Sequence, residues 1–81
     1  MGVDMKITDQ GPNWTEIEIN SNYVLFSYKT PVAIRYRGGK IVVTDKFHSK
    51  TTSKHINRWI YGNYTKVSQS WIDSGLDRMV P

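Results

Sequence analysis

Residues 32–45, VAIRYRGGKIVVTD, decide the fold of this chain of 81 residues. Two runs rich in β-branched and aromatic residues flank Gly38 and Gly39, and a pair of glycines supplies the positive φ that a two-residue hairpin turn needs. A hairpin closed on these glycines pairs Ile34 with Val43, so both side chains are expected on a core face.

The same register predicts a cationic outer face for the hairpin. Arg37 pairs with Lys40 in this register, and Arg35 lies on the same face. Like charges directly opposite each other destabilise a strand pair mildly. Such a face is tolerated where solvent screens the charges, or it is kept because an anionic partner binds there.

On the N-terminal side, the pattern predicts a second hairpin. Residues 14–19, WTEIEI, alternate strictly between apolar and polar, which is the period of a half-buried strand. Residues 20–22, NSN, favour a turn, and residues 23–28 form a further β-rich apolar run. We expect these two strands to pair, and we expect residues 1–13 to form a loosely ordered leader.

On the C-terminal side, the period changes from two to about 3.6 residues, which predicts an amphipathic helix at about residues 51–61. Its apolar side carries Thr52, Ile56, Trp59 and Ile60. Its outer side is basic and carries Lys50, Lys54, Asn57, Arg58 and Tyr61. Residues 64–67 are expected to form a short strand or a loop, and Ser68 or Ser70 is expected to begin a short helix that ends near Gly75.

Together these elements predict a single α+β domain over residues 1–81. The expected architecture is a three- or four-stranded antiparallel sheet with one amphipathic helix on one face and a short C-terminal helix. The predicted core consists of Ile17, Ile19, Ile34, Tyr36, Ile41, Val43, Ile56, Trp59 and Ile60.

Positive charge is concentrated in the middle of the chain. Residues 29–66 carry nine Lys and Arg residues against Asp45 alone, whereas residues 1–28 carry a net charge of −3. A surface that binds a phosphate backbone needs clustered cations, because neutralised phosphates release counterions, and nearby aromatic rings can stack on exposed bases. The alternative is that the cations only solvate two outer faces. The nucleic-acid hypothesis, for DNA or RNA, assigns binding to Arg35, Arg37, Lys40, Lys50, Lys54, Arg58 and Tyr61.

Residues 51–57, TTSKHIN, open the predicted helix soon after the predicted hairpin. In this combination, from about Pro31 to Asn57, the sequence resembles small domains encoded by bacteriophages. The resemblance implies a viral origin and transfers no binding or catalytic residue. A viral origin favours accessory roles during infection. The alternative function is therefore a protein-binding inhibitor or host-takeover factor, of the anti-defence type, that acts on an acidic surface of a host protein complex.

Enzymatic and metal chemistry have little support in the sequence. The chain has no Cys, no Gly-x-Ser-x-Gly motif and no glycine-rich phosphate loop, so we expect a protein that is not an enzyme. His48 and His55 are seven residues apart across a strand-to-helix transition, which does not suit a metal site. We therefore expect no metal and no cofactor.

The location and self-association of the chain are also expectations. No apolar run approaches the length of a membrane span and no signal peptide is evident, so we expect a cytoplasmic protein without a membrane partner. If the protein is viral, this is the cytoplasm of the host cell. A homodimer formed through an uncovered sheet edge at residues 23–29 is a further alternative.

Overall fold

The structure, a computed structural model, describes residues 5–11 and 13–79. In chain order it contains β1 (Met5–Gly11), β2 (Trp14–Ile19), β3 (Asn22–Ser27), β4 (Thr30–Arg35), β5 (Ile41–Thr44), α1 (Lys50–Trp59), β6 (Thr65–Val67) and α2 (Gln69–Met79). All six strands form one sheet in the order of the chain. The pairs from β1 to β5 are antiparallel, whereas β6 is parallel to β5. The α+β class is confirmed, but the sheet is larger than predicted and it is mixed.

The hairpin of β2 and β3 follows directly from local sequence. Asn20 and Ser21 both have a positive φ, at 51° and 69°, and they join β2 to β3 as a two-residue turn. The predicted hairpin is therefore confirmed. Part of the predicted leader, residues 1–4 and 12, lies outside the described residues, and Met5–Gly11 pairs with β2 as a strand.

The predicted register of the hairpin formed by β4 and β5 is wrong. The observed pairing differs from it by one residue. Of the two glycines in this loop, Gly39 alone has a positive φ, of 98°, and the amide of Tyr36 donates to the carbonyl oxygen of Lys40 at 2.7 Å. The loop between these two residues therefore contains three residues, a hairpin class in which a single left-handed residue suffices. As a result Ile34 pairs with Val42. A shift of one residue turns a strand over, so the Ile34 side chain lies on the opposite face of the sheet from Val43.

Each face of the sheet is covered by one helix. The core on the α1 face consists of Leu25, Val32, Ala33, Ile41, Val43 and Trp59. The core on the α2 face consists of Val24, Ile34, Val42 and Ile72. Every residue of β5 is buried, as expected of a strand that is covered on both sides. The prediction of one covered face was wrong, because the register error assigned Val42 to an outer face.

The predicted core is confirmed in part. The buried members are Ile19, Ile34, Ile41, Val43 and Trp59. The half-buried members are Ile17, Tyr36, Ile56 and Ile60. Burial of Val24 and Ile72 was missed, since the second packed face was not expected, and burial of Leu25 on the α1 face was missed as well.

Hydroxyl side chains cap both helices. The Oγ atom of Ser49 accepts a hydrogen bond from the amide of Thr52 at 3.0 Å. The Oγ atom of Ser68 accepts one from the amide of Trp71 at 3.2 Å, as the predicted cap requires. The second helix continues past Gly75, where it was expected to end.

The edges of the sheet differ from the expected edge. β3 is bonded to β2 and β4, so residues 23–29 do not form the uncovered edge proposed for self-association. Within residues 5–11 and 13–79, the edge strands are β1 and β6. Neither described helix is long and apolar enough to cross a lipid bilayer.

The packing predicts that α2 contributes substantially to stability. The Ile72 side chain is fully buried against the sheet, so Ile72→Ala should lower the free energy of unfolding by about 3 kcal/mol. Urea denaturation followed by circular dichroism measures this loss. Asp77→Ala, on the exposed side of the same helix, is the matched control and should change the value by less than about 0.5 kcal/mol. A loss below about 1 kcal/mol for Ile72→Ala would contradict the two-sided core.

Candidate nucleic-acid interface

The outer side of α1 presents three cations in a row. Lys50, Lys54 and Arg58 recur at intervals of four residues and all three are exposed. At 1.5 Å per residue they span about 12 Å along the helix. The helix contains no acidic residue. Among the described residues, one ion pair has its charged atoms within 4.0 Å of each other, and it joins Arg35 to Glu16. The three helix cations therefore have no ion-pair partner in this part of the chain.

A groove lies beside this row, between α1 and the strands β5 and β6. Its volume is about 180 Å³, and the polar residues that α1 contributes to its lining are Ser53 and Asn57. These two residues neighbour Lys50 and Lys54 on the helix surface, since a turn takes 3.6 residues. The groove therefore adjoins the row of cations directly.

Two exposed aromatic rings and two lysines line the same groove. The relative exposure of Phe47 is 71% and that of Tyr64 is 44%, which is high for aromatic residues. Lys46 precedes the first ring, Lys66 lies two residues after the second, and Asp45 is the acidic residue of the lining. Cations and exposed rings are thus combined on one surface. We call this the basic–aromatic surface, and it consists of Lys46, Phe47, Lys50, Lys54, Arg58, Tyr64 and Lys66.

Local hydrogen bonds hold the loop after β5 against β6. The amide of Asp45 donates to the carbonyl oxygen of Val67 at 2.7 Å. The amide of Lys46 donates to Oγ1 of Thr44 at 3.2 Å. These bonds hold the backbone of Asp45 and Lys46 directly before Phe47, which lines the groove.

Arg35 belongs to the packing between α1 and the sheet. Its guanidinium carbon lies 4.5 Å from the ring centre of Tyr23, 5.0 Å from Trp59 and 5.3 Å from Tyr61. The expected position of Arg35 on an outer face of the hairpin is therefore wrong. The physical reason is the shifted register. It pairs Arg35 with Ile41, so the Arg35 side chain lies on the face of the sheet that α1 covers.

Glu16 completes this cluster. Its Oε1 atom accepts a hydrogen bond from Nε1 of Trp59 at 2.8 Å and lies 3.5 Å from Nη2 of Arg35. The side chains of Arg35 and Glu16 are only 18% and 17% exposed, so the charge of Arg35 is neutralised within the fold. Arg35 is consequently poorly placed to bind a phosphate.

The remaining predicted residues lie apart from the row on α1. Arg37 and Lys40 are exposed in the loop between β4 and β5, where the amide of Arg37 donates to Oδ1 of Asn22 at 3.0 Å. Tyr61 follows α1 and is 66% exposed, with its ring against Arg35. The seven predicted residues therefore form a helix set, a loop set and the Arg35–Tyr61 contact.

Sequence reasoning missed the groove residues Lys46, Phe47, Tyr64 and Lys66. Each ring stands within two residues of a lysine in a short connecting segment or edge strand. That pairing of a large apolar side chain with a cation, outside any amphipathic period, is the signal that could have found them.

A buried polar network anchors the first half of α1. Oγ of Ser27 lies 2.9 Å from Oγ1 of Thr52 and 2.9 Å from Nδ1 of His55. The imidazole stacks on the Trp14 ring with centroids 4.9 Å apart and an interplanar angle of 8°. Burial lowers the pKa of His55, and the positive charge of Arg58 lowers it further. Because these polar atoms satisfy one another, we assign the network to folding rather than to catalysis.

A metal site needs several ligand side chains that converge on one point. Within the described ranges, no three His, Asp or Glu side chains converge on a point that could hold a metal ion.

Comparison with known proteins places the chain in a family. Residues 5–74 match the model of a family of unknown function, DUF8033. The chain belongs to this family. No curated protein and no solved structure matches the sequence. The part matched to the family model runs from β1 into α2, so it contains the whole basic–aromatic surface.

The lowered pKa of His55 predicts that mild acid destabilises the fold. The unfolded chain binds a proton near the ordinary pKa of 6.5, whereas the folded chain binds it only at lower pH. The contribution to stability is therefore present above about pH 6.5 and is lost as the pH falls through the folded pKa. Urea denaturation between about pH 7.5 and about pH 5.5 measures this dependence.

His55→Asn is the informative variant, because it removes the imidazole but keeps a polar atom near the position of Nδ1. Its free energy of unfolding should depend less steeply on pH than that of the unchanged protein. Equal slopes in the two proteins would contradict the assignment.

Proposed function

We propose that the protein is a small, non-enzymatic accessory protein that binds single-stranded nucleic acid through the basic–aromatic surface. The observation that carries the proposal is the row of cations on α1, which have no ion-pair partner in the described part of the chain, beside a groove with two exposed rings. The resemblance of residues 31–57 to phage-encoded domains supports a role during infection, in the cytoplasm of a host cell.

Phosphate binding accounts for the cations. Lys50, Lys54 and Arg58 lie on a rigid helix and are free of ion pairs among the described residues. Each cation that neutralises a phosphate releases condensed counterions, which favours binding at low salt. Lys46 and Lys66 extend the positive surface across the groove to the edge of the sheet.

The exposed rings favour a single strand over a duplex. Bases of a single strand are free to stack on Phe47 and Tyr64, whereas bases within a duplex present only their edges. The groove of about 180 Å³ is too small for a duplex and suits one or two bases. Because every base has a π-face, the expected binding has little sequence preference.

A salt titration with labelled oligonucleotides tests the proposal. Fluorescence polarisation should detect binding to oligothymidine and oligouridine that weakens between about 50 and about 300 mM salt. A duplex of the same length should bind more weakly. The absence of salt-dependent binding to all of these probes would refute the proposed function.

Charge removal on α1 tests the surface itself. Lys54→Gln should reduce the steepness of the logarithmic salt dependence by about 0.7, the value for one phosphate of a single strand. Lys6→Gln, an exposed position on β1, removes the same charge and should leave the slope unchanged. Equal effects of the two changes would indicate a response to net charge alone.

Ring removal tests base stacking. Phe47→Ala should weaken binding to oligothymidine by about 1 to 3 kcal/mol, because the ring loses one stacked base. Ile7→Ala is the control, since the Ile7 side chain is similarly exposed at 69% but lies on β1. If the two variants bind equally, Phe47 does not contact a base.

A protein partner is the second candidate, and the exposure of Phe47 favours it. A large apolar side chain in a groove that Lys46 and Lys66 also line suits an acidic host protein that offers an apolar pocket. Capture from host lysate with and without nuclease separates the candidates. A partner that is retained after nuclease treatment and lost with Phe47→Ala would favour the inhibitor over the nucleic-acid binder.

A further inference from the structure

A cavity lies on the α2 side of the sheet, away from α1. Its volume is about 440 Å³, which is within the range of small-molecule sites. Its lining includes Asn22, Tyr36, Ser70, Trp71, Ser74 and Arg78. The cavity therefore combines hydroxyl and amide groups with two aromatic rings and a guanidinium.

The spacing of residues along α2 arranges these groups in two rows. Ser70, Ser74 and Arg78 recur every four residues, so they form one row on the helix. Trp71 and Gly75 form the neighbouring row. The indole is 41% exposed, which leaves part of the ring available at the cavity.

Gly75 brings α2 close to the sheet at this point. A Cβ atom at Gly75 would lie 3.2 Å from Cδ1 of Ile34 and 3.4 Å from the hydroxyl oxygen of Tyr36. The missing side chain therefore lets the Tyr36 ring approach the helix. The rings of Tyr36 and Trp71 meet edge to face with centroids 6.1 Å apart, which fixes the orientation of the indole.

Arg78 gives the cavity a positive potential. It is the charged residue of the lining, and no carboxylate lies within ion-pair distance of it in the described part of the chain. Burial raises the pKa of Tyr36, and the positive charge of Arg78 opposes that rise. The positive potential of the guanidinium therefore extends to the Tyr36 hydroxyl group in the lining of the cavity.

We infer that this cavity binds a nucleotide, that is, a planar heteroaromatic ring that carries a phosphate. The ring stacks on the exposed part of Trp71, and the phosphate is bound by Arg78 with hydroxyl groups of Ser70 and Ser74. The inference is independent of the basic–aromatic surface, because Tyr36 belongs to the α2 face of the core and α1 covers the other face.

Amide and indole chemical shifts measured by NMR test the inference. AMP and UMP added to the ¹⁵N-labelled protein should give saturable shifts at Ser70, Trp71, Ser74 and Gly75. Adenosine and inorganic phosphate, which each supply half of the ligand, should bind at least about tenfold more weakly. A 5′-phosphorylated dithymidine probe distinguishes the terminus of a strand from a free nucleotide, and saturable shifts at the same residues with either probe support the inference.

Two variants and one control locate the site. Arg78→Gln and Trp71→Phe should raise the dissociation constant for AMP at least about fivefold, and Trp71→Phe retains a ring that preserves the fold. Lys6→Gln, which removes one charge from the exposed surface of β1 outside both sites, should leave AMP binding unchanged. Shifts confined to α1 and the groove, or no saturable shift with any probe, would overturn the inference. Neither result would by itself refute binding of single strands to the basic–aromatic surface.

Discussion

The whole structure depends on the burial of a single short strand on both of its faces. All four residues of β5, Ile41–Thr44, are buried. Adjacent side chains of a strand point in opposite directions, so such a strand is stable only if apolar groups cover both faces. The chain meets this requirement with α1 on one face and α2 on the other. The strand β6, which lies between the two helices in the chain, pairs with β5.

This constraint also determines which cations of the described residues have no ion-pair partner. The apolar side of α1 is buried against β3, β4 and β5, so its opposite side faces solvent and carries Lys50, Lys54 and Arg58. The loop from β5 to α1 and the segment before β6 lie at the same groove, so Phe47 and Tyr64 both line it. By contrast, the charge of Arg35 is neutralised by Glu16, and its guanidinium packs against three aromatic rings. Charge density along the chain cannot distinguish these two kinds of cation.

Local patterns predicted the elements that are determined locally. The alternation of residues 14–19, the turn at Asn20 and Ser21, and the amphipathic period of α1 each appear in the structure as expected. The register of the hairpin between β4 and β5 failed, because Gly38 and Gly39 fit a two-residue or a three-residue loop equally well. The three residues of β6 carry no period, and their parallel pairing depends on a crossover through α1. The groove was missed for the same reason, since it exists only after that crossover.

The position of a bound single strand tests the central claim most directly. Photo-cross-linking of the complex with an oligonucleotide that contains 5-iodouridine, followed by mass spectrometry, identifies side chains that stack on bases. Stacking in the groove predicts cross-links at Phe47 and Tyr64, which line it together. Efficient cross-linking that is confined to residues outside the groove, with none at Phe47 or Tyr64, would contradict the claim.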